Sequence, residues 1–224
     1  MLRITRSRIL PSVALALTCV AVQAGPVSGQ GTWESTLLAR DINFDGFVDA
    51  YYDTDLDMTW LADANAAGNV TWTQAMNWVA GLDVYGVTGW ELPSTPITGW
   101  GRCSYSVGGR DCGYLPVTTS AMAHMYYVTL GNEGAPNPGA GLSNSGPFSN
   151  LQARGYWSST LTPDAGYAWD LYFGEGALNY VRIGNPMYAW ATRQGDVALA
   201  VPEPSTYALM LAGLGALVVR RRRA

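Results

Sequence analysis

The sequence contains no lysine, and all thirteen of its basic residues are arginine. This absence excludes a P-loop lysine, a pyridoxal Schiff base and other lysine-dependent chemistry. His124 is the single histidine, and a lone helical histidine is usually structural. Since the chain has no second histidine for an H-E-x-x-H zinc site and no G-x-S-x-G nucleophile motif, we predict no catalytic residues and expect that the protein is not an enzyme.

Positive charge is scarce in the central part of the chain. Seven arginines lie in the end segments, namely Arg3, Arg6, Arg8, Arg220, Arg221, Arg222 and Arg223. Between Glu34 and Asp196, six arginines stand against sixteen acidic residues, so this body has a net charge of −10. Such a balance repels phosphate backbones and anionic glycans, and we expect no nucleic-acid partner.

The N-terminal segment has the pattern of a removable leader. Three arginines precede an apolar run over residues 13–22, which is shorter than the roughly 20 apolar residues of a transmembrane helix. Small residues around Ala24 fit cleavage by signal peptidase. We therefore predict a signal peptide over residues 1–24 and a mature chain that begins near Gly25.

The C-terminal segment combines three features in order. Pro202, Glu203 and Pro204 precede a mostly apolar run over residues 207–219, which is followed by the four arginines Arg220 to Arg223. Positive charge stays in the cytoplasm, so the body is expected outside. A plain single-pass tail is the alternative interpretation.

This tail resembles the PEP-CTERM sorting signal. The resemblance implies recognition by an exosortase in a Gram-negative bacterium and cleavage near the Pro-Glu-Pro motif. It also implies a transient tether in the inner membrane, anchored by the arginine cluster, and then release to the cell surface or the exopolysaccharide matrix. The expected organisation is a leader over residues 1–24, a flexible start over 25–40, a globular domain over 41–200 and the sorting tail over 201–224.

One acidic stretch has the spacing of a calcium loop. Its oxygen-bearing side chains at positions 1, 3, 5 and 9 are Asp41, Asn43, Asp45 and Asp49. Hard cations need converging oxygens, and Gly46 at position 6 permits the sharp turn. Position 12 is Tyr52, where a bidentate glutamate is expected. The stretch is therefore a candidate calcium site, and a turn formed for conformational reasons alone is the alternative.

Residue periodicity predicts two helices and one antiparallel sheet. Thr71 and Gln74 form a capping-box pattern at the start of the first helix, and the second runs over about residues 120–131. Strands are expected over residues 52–60, 156–160, 167–173, 178–183 and 188–193, with a hairpin turn at 174–176. Asp53, Asp55 and Asp57 are expected on one exposed face.

A glycine-rich loop after residue 94 contains Cys103 and Cys112. Because the third cysteine leaves with the leader and the compartment is oxidising, we predict a structural disulfide between these two residues. Trp100, Tyr105 and Tyr114 in the same loop are candidate ligand contacts, since loops carry binding residues more often than frameworks do.

Three further stretches resemble a second family, the DUF1566 or Lcl C-terminal domain. They are Trp-Glu-Leu-Pro-Ser at residues 90–94, Tyr-Trp-Ser-Ser-Thr at 156–160 and Tyr-Ala-Trp-Ala-Thr-Arg at 188–193. The resemblance implies an α+β, C-type-lectin-like domain with two helices and a twisted antiparallel sheet, to which the end segments add hydrophobic helices. The founding member of this family is an adhesin that binds sulfated glycans.

Three functions remain open at this point. The first is a non-catalytic surface or matrix protein that acts in adhesion or polysaccharide association. The second is a secreted hydrolase that uses paired carboxylates, and the third is a structural domain that the tail merely delivers. The expected partners are signal peptidase, exosortase, exopolysaccharide and, transiently, the membrane, and calcium is the one candidate cofactor.

Overall fold

Two β-sheets dominate the described part of the chain, which in this computed structural model covers residues 24–95, 120–135 and 137–197. The first sheet contains β1 (Leu37–Arg40), β2 (Ala50–Asp53), β3 (Met58–Leu61) and β9 (Thr192–Gln194). Its order is β1-β2-β3-β9, and every pairing is antiparallel.

The second sheet contains β4 (Asn69–Val70), β5 (Gly155–Leu161), β6 (Tyr167–Tyr172), β7 (Ala177–Arg182) and β8 (Met187–Tyr188). Its order is β4-β8-β5-β6-β7. Strands β5 and β8 are parallel, whereas the other pairs are antiparallel. The predicted single antiparallel sheet is thus corrected to two sheets, one of them mixed, while the combination of sheets with few helices agrees with an α+β class.

The segment predicted as one strand over residues 188–193 divides between the two sheets. Tyr188 ends β8 in the second sheet and Thr192 begins β9 in the first. The three residues between them, Ala189, Trp190 and Ala191, are fully buried. Apolar alternation does not reveal such a crossing, because the four consecutive residues from Ala189 to Thr192 are all buried and show no alternation.

The stretch predicted as a strand over residues 52–60 is a hairpin. Strands β2 and β3 pair through a turn in which Asp57 has a φ of +48°. Asp53 closes this turn, since its Oδ1 accepts the backbone N–H groups of Asp55 at 3.0 Å and Leu56 at 3.3 Å. Asp53 is fully buried, so the prediction that it lies on an exposed face is wrong.

Both predicted helices are present. Helix α2 (Trp72–Ala80) begins at the predicted capping box, in which Thr71 and Gln74 bond reciprocally. The second predicted helix is α3 (Ala121–His124), capped by Ser120, and it continues as a π-helical turn, Met125–Thr129. It ends at Gly131, whose φ of +65° suits a residue without Cβ.

The folded unit begins before residue 41. Residues 25–40, interpreted from the sequence as a flexible start, contain α1 (Trp33–Thr36) and β1, which is paired with β2 along its length. Gly31 also packs against the backbone of Thr129 so closely that a Cβ there would collide. The domain boundary predicted at residue 41 is therefore too late.

Trp190 sits at the centre of the core. Its ring lies 4.8 Å from that of Trp60 and 4.7 Å from that of Phe148, between centroids. The rings of Tyr156, on β5, and of Phe173, directly after β6, have centroids within 6.1 Å of it. The indole N–H donates to the carbonyl of Leu61 at 2.8 Å, so one side chain links strands of both sheets.

Several predictions concern residues outside the described ranges. These are the leader and the C-terminal tail with its terminal hydrophobic helices, sorting motif and arginine cluster, and also Cys103, Cys112, Trp100, Tyr105 and Tyr114. Among the helices of the described ranges, none has the length and apolar character needed to span a bilayer.

We expect Trp190→Ala to lower the free energy of unfolding by about 3–5 kcal/mol, because it leaves a cavity between the sheets. Trp190→Phe should cost less, about 1–3 kcal/mol, since it keeps a ring but leaves the Leu61 carbonyl without its donor. Urea denaturation followed by near-ultraviolet circular dichroism measures both. The control is Trp78→Ala on α2, where the indole is half-buried; a loss as large as that of Trp190→Ala would contradict the central role of Trp190.

Candidate functional site

The predicted calcium loop joins β1 to β2 and is held together by its own side chains. Asp41 accepts the backbone N–H groups of Asp45 at 3.2 Å and Gly46 at 2.8 Å. Asp45 accepts the N–H of Phe47 at 2.9 Å and the side-chain amide of Asn43 at 2.9 Å. The loop is therefore a tight turn that brings the side-chain oxygens of positions 1, 3 and 5 together.

Positions 9 and 12 of this loop make other hydrogen bonds. Asp49 accepts the N–H of Ile42 at 2.8 Å, and the hydroxyl of Tyr52 donates to Asp57 at 2.7 Å. Within residues 24–95, 120–135 and 137–197, no three or more histidine, cysteine, aspartate or glutamate side chains converge to hold a metal ion. The loop thus offers Asp41, Asn43 and Asp45 as a partial donor set for a hard cation, and calcium binding here stays a prediction.

A cleft of about 450 Å³ opens beside this loop. Four separate stretches line it, contributing Val48 and Asp49, then Leu61, Ala62, Asp63 and Ala66, then Asp83, Val84 and Tyr85, and finally Ser149. Asp49 belongs both to the loop and to the cleft. Volume and lining fall within the range of natural small-ligand sites.

Backbone hydrogen bonds hold the floor of the cleft. Ala62 donates to the carbonyl of Asp49 at 2.9 Å, and Ser149 donates to the carbonyl of Ala62 at 2.9 Å. Ala64 in turn donates to the carbonyl of Ser149 at 3.0 Å. These bonds connect the start of β2 and the end of β3 to the segment before β5. The backbone of Asp49, Ala62 and Ser149 on this side of the cleft is therefore part of the framework.

The cleft presents three carboxylates and no basic residue among its lining side chains. One oxygen of each carboxylate accepts a backbone N–H: Asp49 from Ile42, Asp63 from Asn65 and Asp83 from Gly86. These bonds orient the carboxylates, and the second oxygen of each can accept a hydrogen bond from a ligand. The other polar residues of the lining are Tyr85, which is 63% exposed, and Ser149, whose hydroxyl donates to the carbonyl of Ala62 at 3.2 Å.

Sequence reasoning did not find this cleft. A local signal existed at Asp83, because an aspartate three residues before Gly86, with valines on both sides of the central pair, is typical of a tight hairpin turn. The sequence contains no signal that places Ser149 beside Ala62. Only the register of the folded chain brings the four stretches together.

His124 lies in a partly buried hydrogen-bond chain instead of the cleft. Its Nδ1 is 3.3 Å from the hydroxyl of Thr129, which donates to Asp53 Oδ2 at 3.1 Å. Because that hydroxyl has one proton, the His124 ring donates to it. Thr129 and Asp53 are fully buried, whereas His124 is partly exposed, so the inner part of this chain is enclosed and links the π-helical turn to the end of β2.

Asp170 on β6 is a second buried carboxyl group that the sequence did not reveal. It is 1% exposed, and its Oδ1 has no hydrogen-bond partner among the residues that the structure describes. Burial raises its pKa to about 7. The strand register pairs Asp170 with Trp157 and Asn179. A Cβ at Gly155, which is also on β5, would collide with the carboxyl group of Asp170 and with Met187.

Calcium is expected to raise the melting temperature of the purified full-length chain relative to the same chain in chelator, by a few degrees for a weak site. Asp45→Ala should abolish this shift because it removes a central ligand. Asp164→Ala is the control, since this exposed carboxylate lies outside the loop. Identical melting curves with and without calcium would leave the loop as a conformational turn.

Stability should fall as the pH rises from about 4 to about 7. Burial raises the pKa of Asp170 from 3.8 to about 7, so between these values the native state binds more protons than the unfolded chain. Burial also raises the pKa of Asp53, which adds to the same trend. In Asp170→Asn the free energy of unfolding should depend less on pH, with a change across this range smaller than in the wild type by at most about 4 kcal/mol. Urea titrations at several pH values between 4 and 7 measure this. The exposed control Asp164→Asn should retain the wild-type slope, and an unchanged slope in Asp170→Asn would contradict the assignment.

Comparison with known proteins bears on the C-terminal segment. A family model described as the PEP-CTERM protein-sorting motif matches residues 200–223, which confirms the predicted sorting motif. No match for the chain was found among curated proteins. The motif indicates an exosortase-targeted exported surface protein, membrane-anchored before it is processed.

Proposed function

We propose that this exported protein associates non-catalytically with polysaccharide at the cell surface or in the extracellular matrix, and that the acidic cleft is its binding site. The observation that carries the proposal is the cleft itself, with oriented carboxylates, a serine hydroxyl and an exposed tyrosine over an apolar floor. The sorting motif supports the proposal, because it indicates an exosortase-targeted exported surface protein.

The chemistry of the cleft fits a sugar ligand. Sugar hydroxyl groups donate hydrogen bonds, and the carboxylates of Asp49, Asp63 and Asp83 can accept them. A hydrogen bond to a charged group contributes about 1.5–3 kcal/mol. The lining also contains apolar residues, including Leu61 and Val84, against which the C–H groups of a sugar ring would pack. Few polar groups on a largely apolar surface is the usual composition of a small-ligand site.

The charge of the cleft limits the ligand class. Three carboxylates without a basic partner repel uronates, sulfates and phosphates, and the body around them has the same sign, with six arginines against sixteen acidic residues. Neutral or amine-bearing polymers are therefore the proposed ligands. Sulfated glycans are not among the proposed ligands, although the founding member of the family that the body resembles binds them.

Binding is proposed in preference to catalysis because the cleft lacks an identifiable general acid. Cleavage of a glycosidic bond needs a carboxylic acid with a raised pKa beside the leaving oxygen. Burial raises the pKa of Asp53 and of Asp170, but both are enclosed in the core outside the cleft lining. A hydrolase remains the alternative, recognised by shortened products after incubation with the bound polymer.

The resemblance of the body to the DUF1566 domain, and the lectin-like fold it implies, belong to the same proposal. The motifs that carry the resemblance include Trp90, Trp157 and Trp190, all of which are buried. Their indole N–H groups donate to backbone carbonyls within the framework. A shared set of such residues supports a shared framework more strongly than a shared ligand.

The test measures binding of the purified full-length chain to cellohexaose, glucosamine hexamer and galacturonate hexamer by isothermal titration calorimetry. We expect affinity for the first two and none for the anionic third. Asp83→Asn should weaken binding about tenfold, because asparagine retains the acceptor for Gly86 but loses the charge. Asp164→Asn, outside the cleft, is the control. A chain that binds none of the three probes, or prefers galacturonate, would overturn the proposal.

A further inference from the structure

Tyr85 occupies a backbone position that normally excludes a bulky residue. Val84 and Val87 exchange backbone hydrogen bonds of 2.9 and 3.0 Å, which leaves Tyr85 and Gly86 as the two central residues of a tight turn. Their φ angles are +51° and +90°. Turns with two positive φ angles favour asparagine, aspartate and glycine, so tyrosine here is a strained choice.

The surroundings hold the turn in this strained state. Asp83 accepts the N–H of Gly86 at 2.6 Å, while Val84 and Val87 pack against the core. The carbonyl of Val87 also accepts the indole N–H of Trp90 at 2.9 Å. Because its neighbours are anchored, Tyr85 cannot relax to a commoner backbone conformation. Strain of this kind costs on the order of 1–3 kcal/mol per residue.

Tyr85 is mostly exposed to solvent, so its ring contributes little to the packing of the described residues. It is 63% exposed, and its side chain makes no hydrogen bond or ring contact with the described residues. By contrast Tyr180, also exposed, packs against the rings of Trp169 and Tyr167. An exposed aromatic ring on a rigid, strained turn at the edge of a cleft is suited to contact a ligand, since the turn fixes the position of the Tyr85 Cα and the direction of its Cα–Cβ bond before binding.

We propose that Tyr85 is the specificity-determining residue of the cleft and that its ring stacks on the apolar face of a neutral or amine-bearing pyranose. This inference rests on the proposed function. When an aromatic face stacks on the C–H groups of a sugar ring, water is excluded from between them. The carboxylates beside Tyr85 then accept hydrogen bonds from the hydroxyl groups at the edge of the sugar. Polymers whose rings carry carboxylate or sulfate groups are excluded by Asp83 next to Tyr85.

The experiment compares stability with affinity in the same variants of the full-length chain. Tyr85→Asn should raise the melting temperature by about 2 °C or more, because asparagine tolerates the positive φ. The same variant should bind cellohexaose and glucosamine hexamer about tenfold more weakly, or not measurably, because the aromatic ring is gone. Tyr85→Phe keeps the ring and should bind within about twofold of the wild type.

Tyr180→Asn is the matched control on β7. It removes an exposed tyrosine that packs against its neighbours, so the melting temperature should fall while affinity stays unchanged. Wild-type affinity in Tyr85→Asn would overturn the role of Tyr85 and leave the proposed function standing. A lower melting temperature in Tyr85→Asn would overturn the strain argument. Absence of binding in the wild type would overturn both the role of Tyr85 and the proposed function.

Discussion

The packing of Trp190 between the two sheets is the contact on which the rest of the structure depends. Its ring meets aromatic rings from both sheets, and its N–H satisfies the carbonyl of Leu61 at the end of β3. The flanking residue Ala191 accepts the N–H of Leu61 at 3.0 Å. Because Leu61 and Ala62 form part of the cleft floor, the same interaction that closes the core also sets the position of the cleft.

Buried polar groups complete the framework where apolar packing cannot. Asn144 is fully buried, and its amide joins two other stretches of the chain by accepting the N–H of Val27 and donating to the carbonyls of Gln30 and Leu130. Such a satisfied network fixes one arrangement of the N-terminal segment. Asp170 shows the opposite case, a carboxyl group whose burial costs stability unless it is protonated.

Delivery and binding are encoded in different ways in this chain. The sorting motif over residues 200–223 is a linear signal, read by a membrane partner from consecutive residues. The proposed binding site has no linear signal, since its carboxylates come from stretches as far apart as Asp49 and Asp83 and its hydroxyl comes from Ser149. The excess of carboxylates in the body bears on the proposed binding, because like charge disfavours anionic ligands.

The sequence by itself determined the features that depend on neighbouring residues. Four features are of this kind, since each is a pattern of residues close together in the sequence. They are the capping box of Thr71 and Gln74, the Ser120 cap, the turn before β7 and the sorting motif. Only the tertiary structure decided that the chain crosses between sheets at Trp190, that Asp53 is buried and that four stretches meet at the cleft. Those outcomes depend on strand register between distant segments, and burial on both faces of a strand removes the alternation from which register is read.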